Sequence, residues 1–445
     1  MKKLPPRRPT PGPSLGEVGE LVAPKGPLSL PIPDYRGRSL PNLSANLVGA
    51  TRPSSASAPT FVPPLDPRLD PFHGSPSEGP IVLFLVDGLG WFDFVRWARD
   101  RPKGRGEPWE RAAHPITTVF PSTTTAALCS LSTAAAPGRH GLLGYRQYLP
   151  RFGMVADMLK FSPTGIETRD LLVGPEWRPE HLTETPTIFR QGVRASAITR
   201  DRFQGTGFTR LLYDGAEFVG YATATDLAHE LRTLLEGEAP PLITVYWDEL
   251  DTIQHLKGTD PELVDLEIER TIQLIEYVAT HLPTERARAV TLLVTGDHGQ
   301  VPATPEARIA IDAIPSVAAE LARPLAGDRR AGFFAARPGR VEALREALVG
   351  ALPEGARVIP MPEAVEAGLF GPPPFHAEIH ERLGDLLALV PSPASLAYRL
   401  PGMALPKRFL FGAHGGLEPA ELLVPLVAGR LDAVAACGER PLTKR

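Results

Sequence analysis

Two cysteines in 445 residues, Cys129 and Cys437, are too few for a disulfide framework or a cysteine metal cluster. Any hard-metal ligands must therefore come from Asp, Glu and His, and the scarcity points to a reducing compartment, with cytoplasm as the expected location. Long apolar runs are also missing, which excludes a membrane-spanning helix. The Lys and Arg residues between Met1 and Pro13 are followed by repeated proline (Pro5, Pro6, Pro9, Pro11, Pro13) where a secretory signal would need an apolar stretch. Basic excess is absent: 47 Lys and Arg against 51 Asp and Glu give a net charge of −4, without the footprint of a nucleic-acid binder. What remains is an ordinary globular composition, 43% hydrophobic and 22% charged, long enough for one large α/β domain or two smaller ones.

Residues 1–75 are rich in Pro, Ser and Gly and read as an extended arm that packs on a domain without forming one. The continuous run Ile81–Val86 has the look of a strand buried on both faces of a parallel sheet. Similar runs recur at Ala195–Thr199, Leu242–Tyr246 and Val290–Thr295, with helical patterns such as Ala222–Leu235 and Pro261–Leu282 between them. This alternation predicts an α/β catalytic core over 76–300, a mostly parallel central sheet flanked by helices. From 301 to 405 the texture changes. Gly332–Ala336, Val341–Leu352, Ala356–Ile359 and Glu363–Gly368 suggest a small βαβ-like, α+β cap insertion. Residues 406–445 would supply a return strand, Glu421–Val427, and a polar tail.

Four segments end an apolar run with acidic or histidine residues: Asp87-Gly88, Trp247 to His255, Gly296-Asp297-His298-Gly299, and Gly412-Ala413-His414-Gly415-Gly416. In open α/β sheets, side chains just past several strand ends converge in one crevice whatever their sequence separation. Asp87, Asp251, His255, Asp297, His298 and His414 are thus expected to meet. Six groups suffice for two divalent ions, and the imidazole–carboxylate mixture favours Zn²⁺ first and Mn²⁺ second. Asp251 and His255, four apart, share one face of a helical turn, with Asp248 and Glu249 as competing candidates. Each segment has a plain alternative: a solvated helix face for Asp251 and His255, a structural turn for the glycine-flanked residues, a helix cap for Asp87. Phe120–Leu128 adds four hydroxyls, Ser122, Thr123, Thr124 and Thr125, before a small-residue helix whose N-terminus suits a phosphate. One of Ser122 and Thr123 is expected to cap that helix.

These motifs, with Pro137-Gly-Arg-His140-Gly141 between them and all in this order, resemble the type I phosphodiesterase/nucleotide pyrophosphatase family of the alkaline-phosphatase superfamily over residues 78–430. The resemblance implies a hydrolase of small-molecule phosphate esters, possessing an alkaline-phosphatase-like fold and working through a phosphothreonine. It implies Thr124 as nucleophile, with Thr123 as second choice, and Thr123 and Thr125 beside the substrate. One ion would be held by Asp87, Asp297, His298 and Thr124, the other by Asp251, His255 and His414, while His140 would support the fold. The Phe-Pro-Asn that usually follows the family's nucleophile is replaced here by Thr125-Ala126-Ala127. The ending from His414 to Pro425 is also similar to phosphoglycerate-mutase-like and PglZ-like branches, so a phosphomonoesterase or phosphomutase, and a non-catalytic or defence-associated binding protein, are the other readings. Substrate choice falls to the cap and to Tyr145–Gly174, with His114, His376 and His380 as further candidate contacts; a nucleotide is one candidate substrate, and no membrane or nucleic-acid partner is expected.

Overall fold

The computed structural model describes residues 15–51, 60–101, 105–174, 176–400 and 408–435. Cys437 and the tail lie outside the described residues. Seven strands form the central sheet: β1 (Ile81–Val86), β2 (Ala113–Thr117), β3 (Ala195–Arg200), β4 (Glu217–Tyr221), β5 (Leu242–Trp247), β6 (Thr291–Gly296) and β7 (Leu423–Arg430). Their order is β2-β7-β6-β1-β5-β3-β4, and β7 alone runs against the others. This is the expected mostly parallel α/β sheet.

All six residues of β1 are buried, because its alternating side chains face two cores. Ile81, Leu83 and Leu85 pack towards the Leu40–Thr51 and Thr124–Thr133 helices, whereas Val82, Phe84 and Val86 pack towards the Trp91–Asp100 and Pro261–His281 helices. Burial of each such side chain stabilises the fold by about 1.5–3 kcal/mol. The Pro261–His281 helix starts where its sequence directs: Asp260 accepts the Glu262 N–H at 2.9 Å, and Pro261 needs no partner for a missing N–H.

Two departures from the sequence expectations bear on function. The lead-in is not simply extended. Its Leu40–Thr51 helix is almost wholly buried and packs on the Thr124–Thr133 helix. Beside it, the Tyr35 hydroxyl donates to Leu369 O at 3.0 Å and accepts from Phe120 N at 3.1 Å. Proline content misled here because the prolines flank the helix rather than interrupt it beyond its first turn, at Pro41.

The second departure concerns the cap. A second seven-stranded sheet joins strands Arg357–Pro360, Leu386–Leu389, Ala331–Phe334, Ala326–Gly327, Arg146–Leu149, Met154–Asp157 and Ser162–Pro163, in that order. A boundary at residue 300 therefore does not separate it from the chain before, since three strands come from 146–163. The expected βαβ unit is there in split form. Ala331–Phe334 and Arg357–Pro360, linked by the Val341–Ala351 helix, both pair antiparallel to Leu386–Leu389, which lies between them. Among the described residues, no helix is long and apolar enough to cross a membrane.

Candidate active site

Strand register brings the acidic segments to one edge. Val86 lies opposite both Trp247 and Gly296, so Asp87, Asp248 and Asp297 each begin one residue beyond the same level of the sheet. Asp251 N donates to Asp87 O at 3.0 Å, seating the Glu249–Lys257 helix against that edge. The His414 loop arrives because β7 runs in reverse, so the residues preceding it lie at the carboxyl ends of its neighbours. Gly415, at φ +109°, allows this loop to pass Asp328, where a Cβ would stand 2.6 Å from the aspartate Cβ. The glycine after His298 serves close approach rather than a tight turn: a Cβ on Gly299 would stand 1.9 Å from Ala420 O.

Each histidine has one nitrogen committed to the backbone. His298 Nδ1 faces Gly299 O at 3.2 Å, His255 Nδ1 faces Gly412 O at 2.9 Å, and His414 Nδ1 faces Ser122 O at 3.1 Å. A carbonyl oxygen only accepts, so Nδ1 carries the proton and Nε2 keeps its lone pair in the neutral ring. The carboxylates are arranged likewise. Asp297 Oδ1 accepts from Gly88 N at 3.0 Å and His298 N at 2.9 Å, while its Oδ2 has no hydrogen-bond partner. Tyr246 donates to Asp87 Oδ2 and leaves Asp87 Oδ1 without one. Both bare oxygens point at His298 Nε2, from 3.6 Å for Asp87 and 3.5 Å for Asp297, and Thr124 Oγ1 lies 3.1 Å from the same nitrogen.

Three acceptors cannot bond one another, so this convergence fits a cation. Two groups of side chains have the spacing to hold one: Asp87, Asp297 and His298, and Asp251, His298 and His414. His298 thus stands in both. His255 approaches the second group through Asp251, with Nε2 3.3 Å from Oδ1, and its ring lies 5.2 Å from that of His414. Burial, then the charges of Asp297 and Asp251, push the Asp87 carboxyl well up. Burial, then His298 and His255, push His414 well down. A divalent ion would reverse the first effect, favouring the carboxylate, and reinforce the second, favouring the neutral imidazole.

Among the rival acids near Asp251, Asp248 pairs with Arg200 at 2.8 Å and Arg202 at 2.7 Å, and Glu249 pairs with Arg200 at 2.7 Å. Only Asp251 is left facing the cluster, held there by Gln300. Thr124 is the first residue of its helix and Thr123 is the N-cap, but no side chain caps it. The Thr123 hydroxyl instead meets Asp328, and Ser122 Oγ binds the His414 loop, donating to Gly416 O at 2.8 Å and accepting from Gly415 N at 3.1 Å. Thr125 Oγ1 is buried without a partner. His140 accepts Leu142 N at 3.1 Å and bonds Ser130 Oγ at 2.9 Å, and burial lowers its pKa to about 3. That ring supports the fold beneath the helix.

The cluster opens into a cavity of about 380 Å³ between the two sheets, with Thr123, Thr124, Asp251, His255 and His414 at its floor. His114, His376 and His380 do not line it. Asp328, Tyr246 and Gln300 are the residues that the sequence did not single out. Asp328 reads there as a charged turn, Tyr246 as one more strand residue, and Gln300 as one more polar residue after a strand.

Sheet order, strand-end acids and a threonine at a buried helix start define an alkaline-phosphatase-like hydrolase fold. Murine ectonucleotide pyrophosphatase/phosphodiesterase 5 superposes with a TM-score of 0.58 at 16% identity, covering 78% of this chain and 87% of that one. Phosphonoacetate hydrolase from Sinorhizobium meliloti 1021, in complex with phosphonoformate, gives 0.53 at 17%, covering 81% and 95%. None of the curated protein sequences matches. Residues 81–417 match the family model of type I phosphodiesterase/nucleotide pyrophosphatase, and the chain belongs to that family, whose members hydrolyse phosphoester bonds.

Proposed function

We propose that this chain cleaves phosphodiester or pyrophosphate bonds of a small-molecule substrate, with Thr124 as nucleophile. The observation that carries the reading is the convergence of bare Asp87 Oδ1, Asp297 Oδ2 and His298 Nε2 beside Thr124 Oγ1. Asp87, Asp297 and His298 would hold one divalent ion, and Asp251, His255 and His414 a second, zinc before manganese; bound there, they would supply Lewis acidity and neutralise phosphoryl charge. Thr124 Oγ1 bonds to phosphorus as the bond to the leaving oxygen breaks, and that oxygen takes up a proton. Water then splits the phosphothreonine and restores the hydroxyl. The first N–H groups of the Thr124–Thr133 helix, uncapped by any side chain, are free to meet phosphoryl oxygens. A nucleotide substrate rests on the family's description. A cytoplasmic setting rests on two cysteines in 445 residues, and finding the native chain in an exported fraction would overturn it.

The test is hydrolysis of bis-p-nitrophenyl phosphate and p-nitrophenyl phosphate after chelation and return of Zn²⁺ or Mn²⁺. Diester turnover should need the ion and fall at least about a thousandfold in Thr124→Ala, which should still bind ions by calorimetry. Preference for the monoester would move the reading to a phosphomonoesterase or phosphomutase. Ion binding without turnover of any ester would support a non-catalytic role.

A further inference from the structure

The pocket above Thr124 has a charged wall that attack on phosphorus does not use. Arg146, Arg308, Arg329 and Arg408 all line it, from four separate stretches of chain. The acidic residues lining the same space are Asp251, which faces the histidine cluster, and Asp328, which is buried against Thr123. Arg329 is fixed in place, donating to Gly412 O and Leu410 O at 2.9 Å each. Its guanidinium lies 5.6 Å from the centre of the Phe409 ring, and that of Arg308 lies 5.8 Å from the same centre. Neither Arg308 nor Arg408 has a carboxylate partner among the described residues, and the carboxylate nearest Arg146 is Asp157 at 3.6 Å.

Like charges gathered around one ring repel each other unless an anion lies among them. Burial, and after it the positive charges of Arg308, Arg146 and Arg330, lower the pKa of Arg329 against the opposing pull of Asp328. The scissile phosphoryl group would be met at the cavity floor by the Asp and His cluster and the helix N-terminus, so it does not account for the arginines. A cavity of about 380 Å³ admits a small molecule and not a folded polymer.

We propose that the pocket selects phosphoesters carrying a second anionic group, a carboxylate or a further phosphoryl, on the arm that faces Arg308, Arg329 and Arg408. This rests on the reading that Thr124 attacks phosphorus. Three p-nitrophenyl diesters separate the outcomes: the ethyl, the 2-carboxyethyl and the 2-phosphonooxyethyl phosphate. For the native chain, kcat/KM for an anionic ester should exceed that for the ethyl ester by about tenfold or more, and the gap should narrow with added salt. In the double variant Arg308→Gln/Arg408→Gln this preference should fall about tenfold. Whichever anionic ester keeps the larger ratio identifies the group that is recognised. Equal kcat/KM for all three esters, or a preference unchanged in the double variant, overturns the proposal.

Should none of the esters turn over, the hydrolase reading fails and the subsite is judged by binding alone. Chelator-treated protein should then bind 3-phosphonopropionate about tenfold more tightly than ethylphosphonate by calorimetry, and the double variant should lose the difference. Equal affinities for the two probes in the native chain overturn it.

Discussion

Tyr246 does for Asp87 what three backbone carbonyls do for the histidines: it occupies one atom and leaves the other facing the cluster. Removing its hydroxyl should free the carboxylate to rotate. Tyr246→Phe is therefore expected to weaken divalent-ion affinity about tenfold or more in a competition titration, and an unchanged affinity would mean that the hydrogen bond positions nothing. The strand-end acids were legible because each segment follows an apolar run, and Asp87 and Asp297 also sit beside glycine. Tyr246 was not, because within Leu242–Trp247 a tyrosine looks like any strand residue until register shows where its hydroxyl ends. Proton uptake marks a second residue-scale consequence. His140 has a folded pKa of about 3 against an ordinary 6.5, so between those values the unfolded chain binds a proton that the folded chain refuses. Stability from this group is complete above pH 6.5 and is lost as pH falls, by about 1.4 kcal/mol per unit. Urea unfolding from pH 6.5 to 5 should therefore cost the native chain about 2 kcal/mol more than it costs His140→Asn, and parallel curves would contradict this.

One turn of the second sheet carries three consecutive charges inward. Asp328 reaches Thr123, Arg329 holds the loop at Leu410 and Gly412, and Arg330 binds Glu421 at 3.0 Å. In sequence this Asp-Arg-Arg is an unremarkable polar turn between Gly327 and Ala331; only the fold shows that Asp328 and Arg329 face the cavity and that Arg330 is buried rather than in solvent. Burial pushes the Glu421 carboxyl up, and Arg330 opposes it. Arg330→Ala would leave that acid buried without its cation, an expected loss of about 3–5 kcal/mol in denaturant unfolding. A loss under about 1 kcal/mol would show that Glu421 simply takes up a proton and that the pair fastens little. The split βαβ was half legible: its two strands and helix show in the apolar pattern, but Leu386–Leu389 enters between them from far along the chain, and no local periodicity announces that.

At the scale of the molecule, the cavity exists only because two sheets meet, and its walls come from residues 123–159, 251–255, 308–329, 395–398 and 408–414. An ion bound at its floor would join segments distant in sequence, so folding and ion binding should be linked. At a hundred times its Kd, each occupied site adds about 2.7 kcal/mol. Zn²⁺ or Mn²⁺ should therefore raise the melting temperature of chelated protein, less so in Asp297→Asn, and equal melting with and without ion would exclude a tight site. The lead-in has a consequence of another kind, for the order of events during synthesis. Tyr35 leaves the ribosome 334 residues before Leu369, whose carbonyl receives its hydroxyl. At about 5–20 residues per second, that partner follows roughly 15 to 70 s later. Through that interval the Leu40–Thr51 helix gains its Thr124–Thr133 partner, but the strand carrying Val424 and Leu426 that completes its core is still unmade, and its apolar face is in part open to whatever waits at the exit tunnel.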